Sequence, residues 1–172
     1  MPSSSEASRN IAGALARENL VFVENQLDTF RWSREIYDRL VSVRSRWSDE
    51  ERQWLWLAHH QSTVLGVRRL LDQDDRSLSL AGLIRSVGRA GAKLSPARGE
   101  ALPSSDEIEA DLKQLEDVGS LIAQFANKFI AHRDRNDTET AVPDLSDIDH
   151  AIEEMERISA RYRSLLTANA QG

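Results

Sequence analysis

Between Pro2 and Pro96 the chain contains no proline, and the other two, Pro103 and Pro143, fall in polar stretches with loop composition. Proline inside a helix removes a backbone hydrogen bond and clashes with the preceding turn. Its exclusion therefore leaves long segments free to be helical. Apolar residues recur in those segments every three or four positions, and no two-residue alternation runs far enough to support a strand. The chain is expected to be all-α.

The first segment runs from about Ser8 to Trp47, with Val23, Leu27, Phe30, Tyr37, Leu40 and Val41 at helical spacing. Such a length is unusual for one globular helix, so a kink or a short separate N-terminal helix is expected. Ser48-Asp49-Glu50-Glu51 reads as a capping box and opens a helix with a Leu57, Val64, Val67 and Leu71 stripe, ending near Asp72. After the polar turn "DQDDRS", a third segment from Leu78 to about Leu94 sets Leu80, Ile84, Val87 and Leu94 on one side. Gly82, Gly88 and Gly91 each cost that helix about 1 kcal/mol relative to alanine, which close packing against a neighbour would explain.

A second capping box, Ser104-Ser105-Asp106-Glu107, opens a fourth helix with the stripe Ile108, Leu112, Leu115, Ile122, Phe125 and Phe129. The last helix is expected to open at Ser146, with acidic residues in its first turn where the helix dipole favours them. Its stripe is Ile148, Ile152, Met155, Ile158, Tyr162 and Leu165. Such faces bury best against one another, which predicts an up-and-down helical bundle of four to five helices. One domain over residues 1–172, with a flexible tail at 1–8, is the simplest organisation for this length.

The chain has no cysteine, which excludes disulfides, thiolate metal sites and cysteine nucleophiles and fits a reducing, cytoplasmic setting. Neither a signal-peptide core nor a membrane-length apolar run is present, so no membrane association is expected. With 22 basic and 28 acidic residues the net charge is −6, which argues against a broad electrostatic grip on nucleic acid. A local basic patch is still available in Arg31, Arg34, Arg39, Arg44 and Arg46, read either as a solvated helix face or as an RNA-facing edge.

Four histidines carry the chemical possibilities. His60 completes the stripe of the second helix and is expected in the interior, as a satisfied core histidine or as a support beside a site. No HExxH or ExxH pattern exists, so neither a metal nor another cofactor is expected. His132 differs in its company. It ends the apolar stripe of the fourth helix in the run "NKFIAHRDR" and is followed by Arg133, Asp134 and Arg135. A histidine near its ordinary pKa of about 6.5 exchanges protons at neutral pH, and arginine holds phosphate through paired hydrogen bonds. Cleaving RNA needs little more, because the 2′-hydroxyl is an internal nucleophile. The alternative is a basic helix end that complements the dipole.

"NKFIAHRDR" resembles the signature of HEPN domains, all-α bundles of bacterial toxin, CRISPR-associated and phage-defence proteins. Upstream, "RRLLDQDDRSLSLAGLI" is similar to the pattern of the abortive-infection type-U (AbiU-like) branch, and downstream "VPDLSDIDHAIEEMERI" resembles its closing helix. The resemblance implies a homodimeric, metal-independent ribonuclease, toxin-like and acting on RNA, with an antitoxin or other protein as a further partner. His132 then takes the proton-transfer position, Asn127 the polar position after the motif arginine, and Asp134 the acidic one. Arg133 and Arg135 are candidate RNA contacts.

In that family an arginine precedes the histidine in the pattern R-x(4–6)-H, but six, five and four residues before His132 stand Ala126, Asn127 and Lys128, and no arginine falls at an allowed spacing. Lys128 supplies charge without the guanidinium fork, and Arg133 is the other candidate replacement. The alternative is a catalytically degenerate HEPN domain that binds RNA or protein. Restoring an arginine at position 126 is expected to separate a decayed site from an absent one. Asp134 also stands where nucleotidyl-accepting relatives carry tyrosine, which disfavours control by that modification. Arg69 and Asp72 form either a simple i, i+3 ion pair or, by the resemblance, a turn near the cleft that orients the histidine loop, with Arg69 toward RNA.

Overall fold

A computed structural model describes residues 4–43, 46–91, 94, 101–131 and 141–167. They form α1 (Ser4–Ser42), α2 (Asp49–Leu70), α3 (Leu80–Ala90), α4 (Ser105–Phe125) and α5 (Leu145–Thr167), with α4 prolonged by a π-helical turn, Ala126–Ala131. The five helices pack as an up-and-down bundle. Among the described residues there is no strand, and no helix is long and apolar enough to cross a membrane.

The first segment is one helix, Ser4–Ser42, with no separate N-terminal helix. Its N-terminal part is held along its length by α3, its principal neighbour, so tertiary packing supplies the support that a long isolated helix lacks. Ala12, Ala16, Leu20, Val23, Leu27 and Phe30 are buried along it, with Phe30 against Gly66 of α2. Beyond Phe30 the helix has no buried residue, and Tyr37, Leu40 and Val41 are only half-buried. The first ten residues of α2 are likewise unburied; Leu57, expected on the core stripe, is 41% exposed. The joined ends of α1 and α2 thus stand away from the core and display Trp32 and Trp54 to solvent.

Both serine capping boxes form as expected, at Ser48 with Glu51 and at Ser104 with Glu107. The last helix starts differently. Asp144 accepts from the backbone N–H of Asp147 at 2.9 Å, and the Asp147 carboxylate accepts from the Asp144 N–H at 2.9 Å. Aspartates do here what serine and glutamate do elsewhere, which moves the start from Ser146 to Leu145.

α3 also explains its glycines. A Cβ on Gly88 would lie 2.7 Å from Ile108 of α4, and one on Gly82 would lie 2.8 Å from the Asn19 side-chain oxygen. Gly91 caps the helix at φ 51°, where other residues are strained. Ser79 opens α3: its hydroxyl accepts from Gly82 N–H and donates to the Asp72 carbonyl, while its own N–H donates to buried Asn19.

At the α4–α5 seam, the carboxylate of Asp111 is buried and accepts from Arg161 at 2.7 and 2.9 Å and from the Tyr162 hydroxyl at 2.8 Å. Burial, reinforced by the hydrogen bond to Asp111, holds the phenol well above its ordinary range, so it stays a donor. Asp111→Ala is expected to lower stability by about 2 kcal/mol, mainly because Tyr162 loses its acceptor; Asp111→Asn, which keeps one, should lose less. Urea denaturation checks this, and equal midpoints for the wild type and Asp111→Ala would contradict it.

Candidate functional site

The signature begins on the π-helical turn that prolongs α4. A π turn closes its hydrogen-bonded rings over one residue more than an α turn. "ANKFIA" contains neither proline nor glycine, so nothing in its composition announces the change. Ala126 is fully buried within the core cluster, whereas Asn127 and Lys128 face solvent. His132, Arg133, Asp134 and Arg135 lie outside the described residues.

Ala126, one of the positions where the pattern would allow an arginine, thus has its side chain in the core. A guanidinium there would enter the apolar interior. Beside the turn's own Lys128, a second cation comes from another helix: half-buried Arg68 of α2 donates its Nε–H to the Asn127 side-chain oxygen at 2.5 Å. α2 and the π turn are in direct contact, which is why residues far apart in sequence meet here.

The adjacent Arg69 points elsewhere. Its guanidinium lies over the ring of Phe22 on α1, 5.4 Å from the centroid, a cation–π contact. No ion pair joins Arg69 to Asp72 among the described residues, so the i, i+3 pair is not formed. Asp72 instead shapes the α2–α3 turn, its carboxylate accepting from Asp74 N–H at 3.0 Å and its carbonyl accepting from Ser79. Between this turn, α3 and α4 lies a groove of about 260 Å³, floored by Leu71, Ala81, Leu115 and Gly119 and edged by Ser120 and Gln124.

His60 is buried, as its place on the stripe requires. Its Nε2 lies 2.7 Å from the Pro143 carbonyl oxygen, and a carbonyl only accepts, so Nε2 carries the proton. The ring stacks on Trp56 and meets the edge of Phe125. His60 thus fastens the chain entering α5 to α2. It is a satisfied core histidine with a positioning role.

His59 is a second such residue. Its Nδ1 shares a hydrogen bond of 3.1 Å with the Ser33 hydroxyl, and its ring stacks on Tyr37. Burial above all, then the charge of Arg34, lowers its pKa, while Asp149 and Asp38 act in the opposite direction.

The basic face of α1 is largely neutralised. Arg31 pairs with Asp28 and Glu156, Arg34 with Asp38 and Asp149, and Arg39 with Glu35. For these three the solvated-face reading holds; Arg44 lies outside the described residues. Among the described residues no three His, Asp or Glu side chains gather as metal ligands would.

Ala126→Arg is expected to cost several kcal/mol of stability, since it buries a charge in the apolar interior, and to confer no new activity. A variant as stable as the wild type that acquired RNA cleavage would contradict that. For His59, the folded pKa lies below the unfolded value of about 6.5, so the unfolded chain binds more protons in that interval. Stability is then complete above about pH 6.5 and declines as pH falls through the interval. Urea midpoints taken between about pH 8 and about pH 5 should decline less in His59→Gln than in the wild type; identical slopes would assign the effect to other groups.

Comparison with curated proteins and with solved structures gives no match. The family model for the AbiU2-type HEPN domain matches residues 20–170, most of the chain and all of α2 to α5. The helical bundle, the "RRLLD" turn, the signature after α4 and the closing helix all lie within that match, and the chain belongs to the AbiU2 branch of the HEPN superfamily.

Proposed function

We propose that this protein is a metal-independent RNA endonuclease of phage defence, toxin-like in action, with His132 moving the proton. The family match over residues 20–170 carries the reading, because it spans the signature that holds His132 and the flanking helices together. In the proposed step the ribose 2′-oxygen attacks the adjacent phosphorus. A 2′,3′-cyclic phosphate forms, and the 5′-oxygen leaves with a proton. His132 takes the 2′-hydroxyl proton or supplies the one the leaving oxygen needs. Asn127 and Lys128 border the reacting phosphate, and Asp134 orients the histidine. Arg133 and Arg135 hold the flanking backbone.

A homodimer is part of this reading, as is an antitoxin or other protein partner. The exposed Trp32 and Trp54 on the projecting ends of α1 and α2 favour a protein-facing surface there. A second reading, a degenerate HEPN domain that binds RNA or protein without cutting, is favoured by one observation: one of the positions where the pattern would allow an arginine is buried alanine.

The two separate in one experiment. Purified protein is incubated with total RNA in the presence of a chelator, and the products are examined for cyclic phosphate ends. Under the enzyme reading His132→Ala lowers cleavage at least about 100-fold. Cleavage that persists in the variant, or RNA that is bound and left whole by the wild type, would discard it in favour of the binding module.

A further inference from the structure

We propose that Arg68 is the phosphate-binding arginine of this site, supplied by α2 in place of the one that α4 lacks. The proposal rests on the RNA-directed reading above and names a residue that the signature does not contain. Three observations carry it.

The first is what position 126 excludes. Ala126 is fully buried in the core, so no side chain at that register reaches an anion in solvent. The second is what the next position does. Asn127, five residues before His132 in the sequence, faces outward and accepts from the Nε–H of Arg68. That bond orients the planar guanidinium and leaves its two terminal nitrogens without a hydrogen bond or ion pair among the described residues. Such a fork matches two phosphate oxygens at once.

The third is charge. Arg31, Arg34, Arg39, Arg76, Arg89 and Arg161 each hold a carboxylate. Arg68 is held by a neutral amide, which positions its charge without cancelling it. In a chain of net charge −6, an uncompensated arginine fixed at the signature is a local attractor for a phosphodiester. Half-burial strengthens that attraction relative to a fully solvated side chain.

The test uses the full chain and a fluorescein-labelled, fully 2′-O-methylated single-stranded RNA, which cannot be cut through its 2′-oxygens. Binding is followed by anisotropy at about 50 mM salt. Arg68→Ala should weaken binding at least about tenfold and reduce the salt-dependence slope by about 0.7, one phosphate contact on a single strand. Arg68→Lys should lose most of the same affinity, because an ammonium cannot hold Asn127 and two phosphate oxygens together. Asn127→Asp should weaken binding as well, by giving Arg68 a carboxylate. Arg76→Ala, which removes an exposed charge already paired with Asp74, should bind like the wild type.

The proposal is overturned if wild type does not bind this RNA, if both Arg68 variants bind within about twofold of wild type, or if Arg76→Ala loses as much. Cleavage is not read in this assay. Loss of binding in the Arg68 variants therefore stands even if the wild type proves unable to cut, and an active enzyme indifferent to Arg68 sinks this inference alone.

Discussion

The buried side-chain amide of Asn19 holds three parts of the bundle in register. Its nitrogen donates back to the Leu15 carbonyl within α1, and its oxygen accepts from the Ser79 N–H at the start of α3. Ser79 in turn caps α3 and grips the Asp72 carbonyl at the start of the α2–α3 turn. Apolar packing alone would let α1 and α3 slide past each other, since a stripe of alanine and leucine is similar at successive turns. A buried amide has few arrangements that satisfy both its ends, and leaving either end unpaired costs about 1–3 kcal/mol. Through this knot the position of α3 sets the exit of α2, and α2 carries Arg68 and His60.

Much of this architecture is legible in the amino-acid order because helices have a local grammar. Both serine capping boxes, the closing stripe from Ile148 to Leu165 and the interior placing of His60 follow from spacing and cap chemistry alone. The departures arise where tertiary context overrides local pattern. Leu57 has helical spacing but no neighbour to cover it. α1 stays continuous because α3 supports it, a fact no window of sequence contains. Asp144 and Asp147 replace the expected serine cap with a pair of carboxylates that satisfy each other's N–H groups.

The site is less legible than the fold for a related reason. Spacing along one chain reports which residues share a helix, not which helices meet. The run "RRLLD" offers two neighbouring arginines, and the resemblance points to Arg69. Helical geometry turns successive side chains by roughly 100°, so Arg69 lies over Phe22 while Arg68 reaches Asn127. Burial at Ala126, by contrast, follows from helical spacing, since it lies four residues after buried Ile122.

The π turn at Ala126–Ala131 bears on how related chains should be aligned. A turn that already accommodates one additional residue is where a helix most easily gains or loses one without redirecting what lies on either side. Signatures written with a variable gap, such as four to six positions between two residues, are what such a helix would leave behind over evolutionary time. Matching by outward-facing position, with Asn127 as the anchor, respects the geometry that counting residues does not.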